Sequence, residues 1–198
     1  MDKQSLIQSL KLKKFQDKVI KAFKKIKRED FLPENLRQHA YEDEALPLEK
    51  GATISQPYTI AFMLSLLELK DNLSILEIGS GSGYVLALIN EISKNSKIYG
   101  IEIIETLANK SRQQLKNKSN IKIISKDGSN GLPQKAPFDR ILISAAAQEI
   151  PEHLFSQLKD SGILVCPVQN SIFQIKKHKS NITKKEFPGF VFVPLIKS

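Results

Sequence analysis

Tryptophan is missing from the 198 residues, cysteine occurs once and histidine three times. A single cysteine excludes a disulfide framework within the chain and a cysteine-based zinc site. Cys166 falls in an apolar stretch and reads as inert core. The histidines, His39, His153 and His178, are scattered and show no acidic partner in the sequence, so a serine-hydrolase triad is not expected. Long hydrophobic runs are also lacking. Ile60 to Leu67 and Val85 to Ile89 fall well short of the ~20 residues that a membrane span needs. The N-terminus opens on lysines and glutamines rather than an apolar signal segment, so a soluble, cytoplasmic protein is expected. No repeat with a period of 20–50 residues and no low-complexity linker stands out. What is present suffices for a core: 41% of residues are hydrophobic and 26% are charged, in a chain of one-domain size.

Arginine is scarce as well. Only four of the thirty basic residues are arginine. The net charge of +9 is unevenly spread: residues 1–30 carry +6, residues 171–198 carry +5 and the stretch between carries −2. Two basic ends could attract nucleic acid or acidic polypeptide. Bidentate phosphate and base readout favours arginine, and no aromatic residues interleave the N-terminal lysines as on a single-strand platform. Solvated terminal segments therefore account for the charge more simply.

Residues Ser5 to Ile26 are lysine-rich, with Phe15, Val19, Ala22, Phe23 and Ile26 at helical spacing. Pro33 to Pro57 reads as a loop, long enough to be functional or to hold short elements. Tyr58 to Leu69 predicts a helix. From residue 73 strands and helices alternate: strand Ser74–Ile78, helix Tyr84–Ile92, strand Lys97–Ile101, helix Glu105–Leu115, strands Ile121–Ile124 and Arg140–Ser144, helix Pro151–Leu158, strand Gly162–Val168. This alternation predicts an α/β fold of Rossmann-like, doubly wound type, with a mostly parallel sheet and helices on both faces. Ile172–Lys176 and Phe190–Leu195 predict further strands that add an antiparallel pair or edge. The expected organisation is one globular unit. Residues 1–70 form an N-terminal helical segment and active-site loop, packed on a catalytic core over residues 71–198.

Three of the nine glycines crowd into Glu77-Ile78-Gly79-Ser80-Gly81-Ser82-Gly83, after a strand and before a helix. That is where a nucleotide loop belongs. The spacing is neither the dinucleotide G-x-G-x-x-G pattern nor a P-loop, which needs lysine followed by serine or threonine. Glu102 ends the next strand about twenty residues on, where a carboxylate can accept two ribose hydroxyls. Asp127-Gly128 follows the third strand, where a carboxylate could accept from an adenine amino group beside a glycine that leaves room for the ring. Together these suit an adenosine ligand, and the missing phosphate motif favours S-adenosylmethionine over NAD or ATP.

The chain resembles the protein-L-isoaspartate (D-aspartate) O-methyltransferases from about residue 15 onward. The resemblance rests on Ala52-Thr53-Ile54-Ser55-Gln56-Pro57 with Leu46-Pro47 before it and on Leu76 to Tyr84. It also rests on Asp127-Gly128, Pro137-Phe138-Asp139, Ala145-Ala146-Ala147 and Phe192-Val193-Pro194-Leu195. Arg28-Glu29-Asp30-Phe31-Leu32-Pro33 matches another family segment. Lys126, Ser161 and Gln169 stand where the family commonly has glycine, and the tail is short. The resemblance implies methyl transfer from S-adenosylmethionine to the α-carboxyl of L-isoaspartyl residues in peptides and damaged proteins, with S-adenosyl-L-homocysteine as product and no metal. It implies cofactor contacts at Thr53, Ile54, Glu77, Gly79, Ser80, Gly81, Gly83, Glu102, Ile103, Asp127 and Gly128, and a positioning role in catalysis for Ser55. A carboxylate substrate has a pKa near ~4 and needs no general base at pH 7. A monomer is expected, with neither membrane nor nucleic acid as partner.

Two other readings stand beside this one. A class I methyltransferase acting on RNA or a small molecule would keep the glycine loop. However, the (N/D)-P-P-(Y/F/W) element of amino-methylating enzymes is replaced here by Ser144-Ala145-Ala146-Ala147. A non-catalytic family member would also keep the cofactor-binding residues.

Overall fold

A computed structural model of the chain describes residues 1–192. Asp2 caps the first helix, α1 (Lys3–Leu12), by accepting the Ser5 amide at 2.8 Å. The helical spacing within Ser5 to Ile26 is realised as two helices. Lys14 adopts a left-handed φ of 60° and breaks the run. The chain then restarts as α2 (Asp17–Lys25), burying Val19, Ile20, Ala22 and Phe23. The loop-like stretch after Pro33 holds 3-10 turns at Glu34–His39 and a two-residue antiparallel hairpin of β1 (Leu46–Pro47) and β2 (Thr53–Ile54). Helix α3 (Pro57–Leu66) opens on a proline, whose missing amide costs nothing there.

The core alternates as expected: β3 (Ser74–Ile78), α4 (Tyr84–Ile92), β4 (Lys97–Glu102), α5 (Glu105–Gln114), β5 (Ile121–Ser125), β6 (Phe138–Ile143) and β7 (Leu158–Val168). Two antiparallel strands follow, β8 (Ser171–His178) and β9 (Asn181–Pro188). They form one seven-stranded sheet in the order β5-β4-β3-β6-β7-β8-β9, parallel from β5 through β7. Strand order reverses at β3, which pairs with β4 on one side and β6 on the other. Such a switch point opens a crevice beyond the strand C-termini.

Alternate strand residues serve opposite faces. Ile75, Leu142, Ile163 and Val165 join the cluster built by α1, α2, α3 and α4. Leu76, Ile141, Ile143, Leu164 and Cys166 face the other way, against Leu132, Leu154 and Leu158. The predicted helix Pro151–Leu158 is a run of 3-10 turns over Glu152–Gln157, because only Leu154 and Gln157 are buried and no amphipathic face develops. Full burial pushes the Cys166 thiol up to about 12, so it stays protonated and unreactive at neutral pH.

The C-terminal expectation needs correction. Phe190, Val191 and Phe192 lie in no strand, and 193–195 fall outside the described residues. The edge is β9 instead, paired along its length with β8 from Ser171↔Pro188 to His178↔Asn181. Most β9 side chains are exposed, so the segment carries little apolar alternation to reveal it. The histidine reading changes too. His39 Nδ1 sits 2.9 Å from Glu42 Oε1, and His178 Nδ1 sits 4.0 Å from Asp160 Oδ1. Both are surface pairs.

Two of the departures from the family pattern sit where glycine would be unstrained. Ser161 has φ 62° and Gln169 φ 52°, so the backbone keeps a left-handed shape there without glycine.

Candidate active site

The switch-point crevice is a cavity of about 350 Å³. Its floor comes from the strand ends, Ile78, Ile101 and Glu102, with Gly79 and Gly81 from the glycine loop and Ser144-Ala145 after β6. The hairpin tip, Lys50 to Thr53, closes it from the N-terminal side. A narrow slot of about 30 Å³ adjoins it and shares Thr53, Gly79, Gly81 and Ser144. Ile54, Ser55, Glu77, Ser80 and Tyr84 supply further wall.

Of the sequence-predicted residues, Thr53, Ile54, Ser55, Glu77, Gly79, Ser80, Gly81, Glu102, Ile103 and Gly128 all line the cavity or the slot. Gly83 does not. It is the N-cap of α4 at φ 85°, and a Cβ there would lie 2.2 Å from Ser111 Oγ, so its constraint is the packing of α4 on α5. Asp127 is also off the wall; its Oδ1 accepts the Ser129 amide at 2.8 Å. Gly128 is on the wall, but a Cβ there would meet Ile78 Cγ2 at 2.7 Å. Close packing against the sheet is thus sufficient reason for that glycine.

Glu102 is 5% exposed and rigidly held. Oε2 accepts the Gly81 amide at 2.7 Å and Oε1 accepts the Ile104 amide at 2.9 Å. A carboxylate has about four lone-pair positions. Two are used by these amides, which leaves two on a residue that lines the cavity.

Glu77 is fully buried in the slot. Ser144 Oγ donates to its Oε1 at 2.7 Å, while Oε2 has no hydrogen-bond partner among the described residues. Burial raises its pKa to about 8; the Ser144 bond works against that rise and the charge of Glu102 adds to it.

Ser55 stands just before the helix cap, which is Gln56 and makes no side-chain cap bond. The Tyr58 amide is taken by Asp43 Oδ1 at 2.8 Å. The Ser55 hydroxyl is therefore not needed as a cap, and Ser55 lines the slot.

Arg28 was legible only as part of a matching segment; the structure gives it a role. Its guanidinium is fully buried and donates to four backbone carbonyls. Nη1 reaches Ala40 O at 2.8 Å and Glu42 O at 3.3 Å; Nη2 reaches Glu44 O at 3.0 Å and Ser55 O at 3.1 Å. One side chain thus pins the loop that carries Ser55. Ser144 was missed as well. Its signal was a polar residue ending an apolar strand.

The family profile of the protein-L-isoaspartate (D-aspartate) O-methyltransferases matches residues 1–198. The chain belongs to this family. A relative from Methanococcoides burtonii, named protein-L-isoaspartate O-methyltransferase, is 41% identical over 198 residues, covering 96% of this chain and 98% of its own. Among solved structures of the family, a protein-L-isoaspartate O-methyltransferase superposes with a TM-score of 0.88 at 26% identity over 98% of this chain. This chain spans 65% of that one. A Plasmodium falciparum structure described as a family member in complex with S-adenosyl-L-homocysteine gives a TM-score of 0.86 at 27% identity, with both chains fully covered.

Proposed function

We propose that the chain repairs damaged proteins by transferring a methyl group from S-adenosylmethionine to the α-carboxyl of L-isoaspartyl residues. Family membership supports this, and so does the bound S-adenosyl-L-homocysteine of the Plasmodium falciparum relative. The observation that carries it is the pair of buried carboxylates, Glu102 on the cavity and Glu77 on the adjoining slot. Glu102 has spare acceptor positions suited to the two ribose hydroxyls. Glu77 Oε2 is a buried oxygen without a described partner, suited to the α-ammonium of the methionyl arm. The residues present therefore fit the cofactor.

When bound, the cofactor supplies an electrophilic methyl group. The substrate carboxylate is ionised at neutral pH, so no side chain has to remove a proton. What remains for the protein is placement at near-attack distance. Ser55 donates its hydroxyl to the reacting carboxylate, while Thr53, Ile54, Gly79 and Ser80 shape the slot around it. Gly81, Ile103 and Gly128 line the adenosine side, with Asp127 beside them and Gly83 setting the helix behind the loop. Residues 1–70 and 71–198 act as one unit, supported by the shared core of Leu6, Phe23, Ile60 and Ile75. Among the described residues no helix is long and apolar enough to cross a membrane; a cytoplasmic monomer is the reading we adopt.

Methyl transfer should be seen with an isoaspartyl peptide and not with its aspartyl isomer. Equal labelling of both, or labelling of RNA alone, would overturn the assignment.

Glu102→Gln should weaken S-adenosyl-L-homocysteine binding by about 1.5–3 kcal/mol, measured by calorimetry. A glutamine offers one acceptor oxygen where the Gly81 and Ile104 amides need two. Unchanged affinity would remove Glu102 from the ribose site.

The Glu77 carboxyl gives a pH signature. Below about 8 it is mostly neutral, and an ammonium group must ionise it to pair with it. Affinity for S-adenosyl-L-homocysteine should therefore rise with pH by up to about tenfold per unit until it levels off near pH 8. Stability of the ligand-free protein runs the other way. The raised pKa contributes stability that is fully present below the ordinary carboxyl value and is lost as pH rises through about 8. Glu77→Gln should flatten both profiles. A flat profile for the unmodified protein would place the ammonium elsewhere.

A further inference from the structure

The two basic ends lie far apart in sequence, yet the fold sets one lysine from each, Lys13 and Lys185, on a common aromatic strip. Lys13, in the α1–α2 connection, places Nζ 5.7 Å from the Tyr58 ring centroid. Tyr58 and Phe62, one turn apart on α3, have ring centroids 6.3 Å apart. Phe62 meets Phe187 of β9 edge-on at 5.3 Å, and Lys185 Nζ lies 5.0 Å from the Phe187 centroid. Lys13, Tyr58, Phe62, Phe187 and Lys185 thus form a continuous strip of ring and cation contacts. The three rings are only half-buried and both lysines are exposed. Neither lysine is ion-paired with a described carboxylate, although six other lysines are. The strip starts on the first turn of α3, three residues after Ser55. Phe190 from the tail lies along it, stacked on Tyr58 at 6.4 Å with an interplanar angle of 8°.

We propose that this strip docks acidic segments of the polypeptide on either side of the damaged residue. The proposal rests on the isoaspartyl reading and names the substrate class which that reading leaves open. Half-buried aromatic rings offer apolar contact to any peptide backbone, whatever its sequence. The unpaired lysines at the two ends add a charge preference, and the surplus positive charge of both chain ends reinforces it. Lysine rather than arginine suits this role. A mobile point charge attracts carboxylates without demanding a fixed geometry, whereas nucleic-acid readout draws on arginine. Two lysines of the basic ends, which sequence alone explains as solvated segments, thereby share one surface with a substrate to select.

The test uses three isoaspartyl peptides of equal length with glutamate, glutamine or lysine flanks, at low and at 0.5 M salt. The full-length protein is compared with the Lys13→Glu/Lys185→Glu double variant. At low salt the glutamate peptide should show a KM roughly three- to tenfold below the glutamine peptide, the scale of two exposed charge pairs. That advantage should shrink in 0.5 M salt and vanish or invert in the double variant. The glutamine peptide and S-adenosyl-L-homocysteine should bind both proteins alike. Equal KM for all three peptides, or a glutamate advantage that survives in the double variant, overturns the proposal. So does an RNA oligonucleotide that outcompetes the glutamate peptide. Binding of a fluorescent glutamate-rich peptide without isoaspartate, followed by anisotropy, reads the surface separately. If no peptide is methylated, the isoaspartyl assignment fails, and the anisotropy contrast between the two proteins still decides the strip.

Discussion

Ser55→Ala should lower kcat on an isoaspartyl peptide by about 10²-fold, the scale expected when an oriented reaction loses its positioning contact. Affinity for S-adenosyl-L-homocysteine should change far less, because Glu77 and Glu102, the carboxylates proposed to hold it, stay in place. A serine just ahead of a helix can also serve as a simple cap, which would make its loss a matter of stability. The geometry separates the two roles. Gln56 holds the cap position, Asp43 takes the Tyr58 amide, and Ser55 faces the slot shared with Glu77 and Ser144. Thermal stability of Ser55→Ala should therefore stay within about 0.5 kcal/mol of the unmodified protein, as for a substitution that breaks no structural bond. Ser55→Thr keeps the hydroxyl and should keep part of the activity. An alanine variant that turns over at the unmodified rate would remove Ser55 from the reaction.

Arg28→Lys should be the most destabilising change. Four carbonyls from Ala40, Glu42, Glu44 and Ser55 converge on one buried guanidinium. Burial pulls its pKa below the ordinary arginine value, with Asp43, Tyr41 and Tyr84 opposing that shift. A lysine ammonium has three donors on a single nitrogen and cannot span the same four acceptors. Breaking a buried charged network costs about 3–5 kcal/mol, so Tm should fall by on the order of 10 °C. At temperatures well below the new Tm, kcat should still fall, because the Ser55 carbonyl has lost its anchor. S-adenosyl-L-homocysteine affinity is the control, since Glu102 is held by other amides. A Tm within 2 °C of the unmodified protein would contradict the pinning role.

The parts legible in sequence were those where apolar runs end on glycine or a carboxylate. Strand β3, the glycine loop, helix α4 and Glu102 fall into that class, because scarce glycines crowd between an apolar strand and an apolar helix and a carboxylate ends the next strand. Strand β9 was hidden because an exposed edge strand needs no alternation. The break at Lys14 was hidden because nothing in Lys13-Lys14-Phe15 forbids a helix. Arg28 left little trace because its partners are backbone carbonyls, which any sequence supplies. Gly83 and Gly128 were read as cofactor residues, yet steric contacts with Ser111 and Ile78 already require them to be small.

The central claim is repair, and it can be followed on the substrate itself. An isoaspartyl peptide incubated with the protein and S-adenosylmethionine, sampled by mass spectrometry and isomer-resolving chromatography, should first gain one methyl group. It should then lose methanol to the succinimide and accumulate the normal aspartyl isomer over repeated cycles. A methyl group that stays on the peptide without succinimide formation, or a peptide that remains isoaspartyl while the cofactor is consumed, would contradict the account.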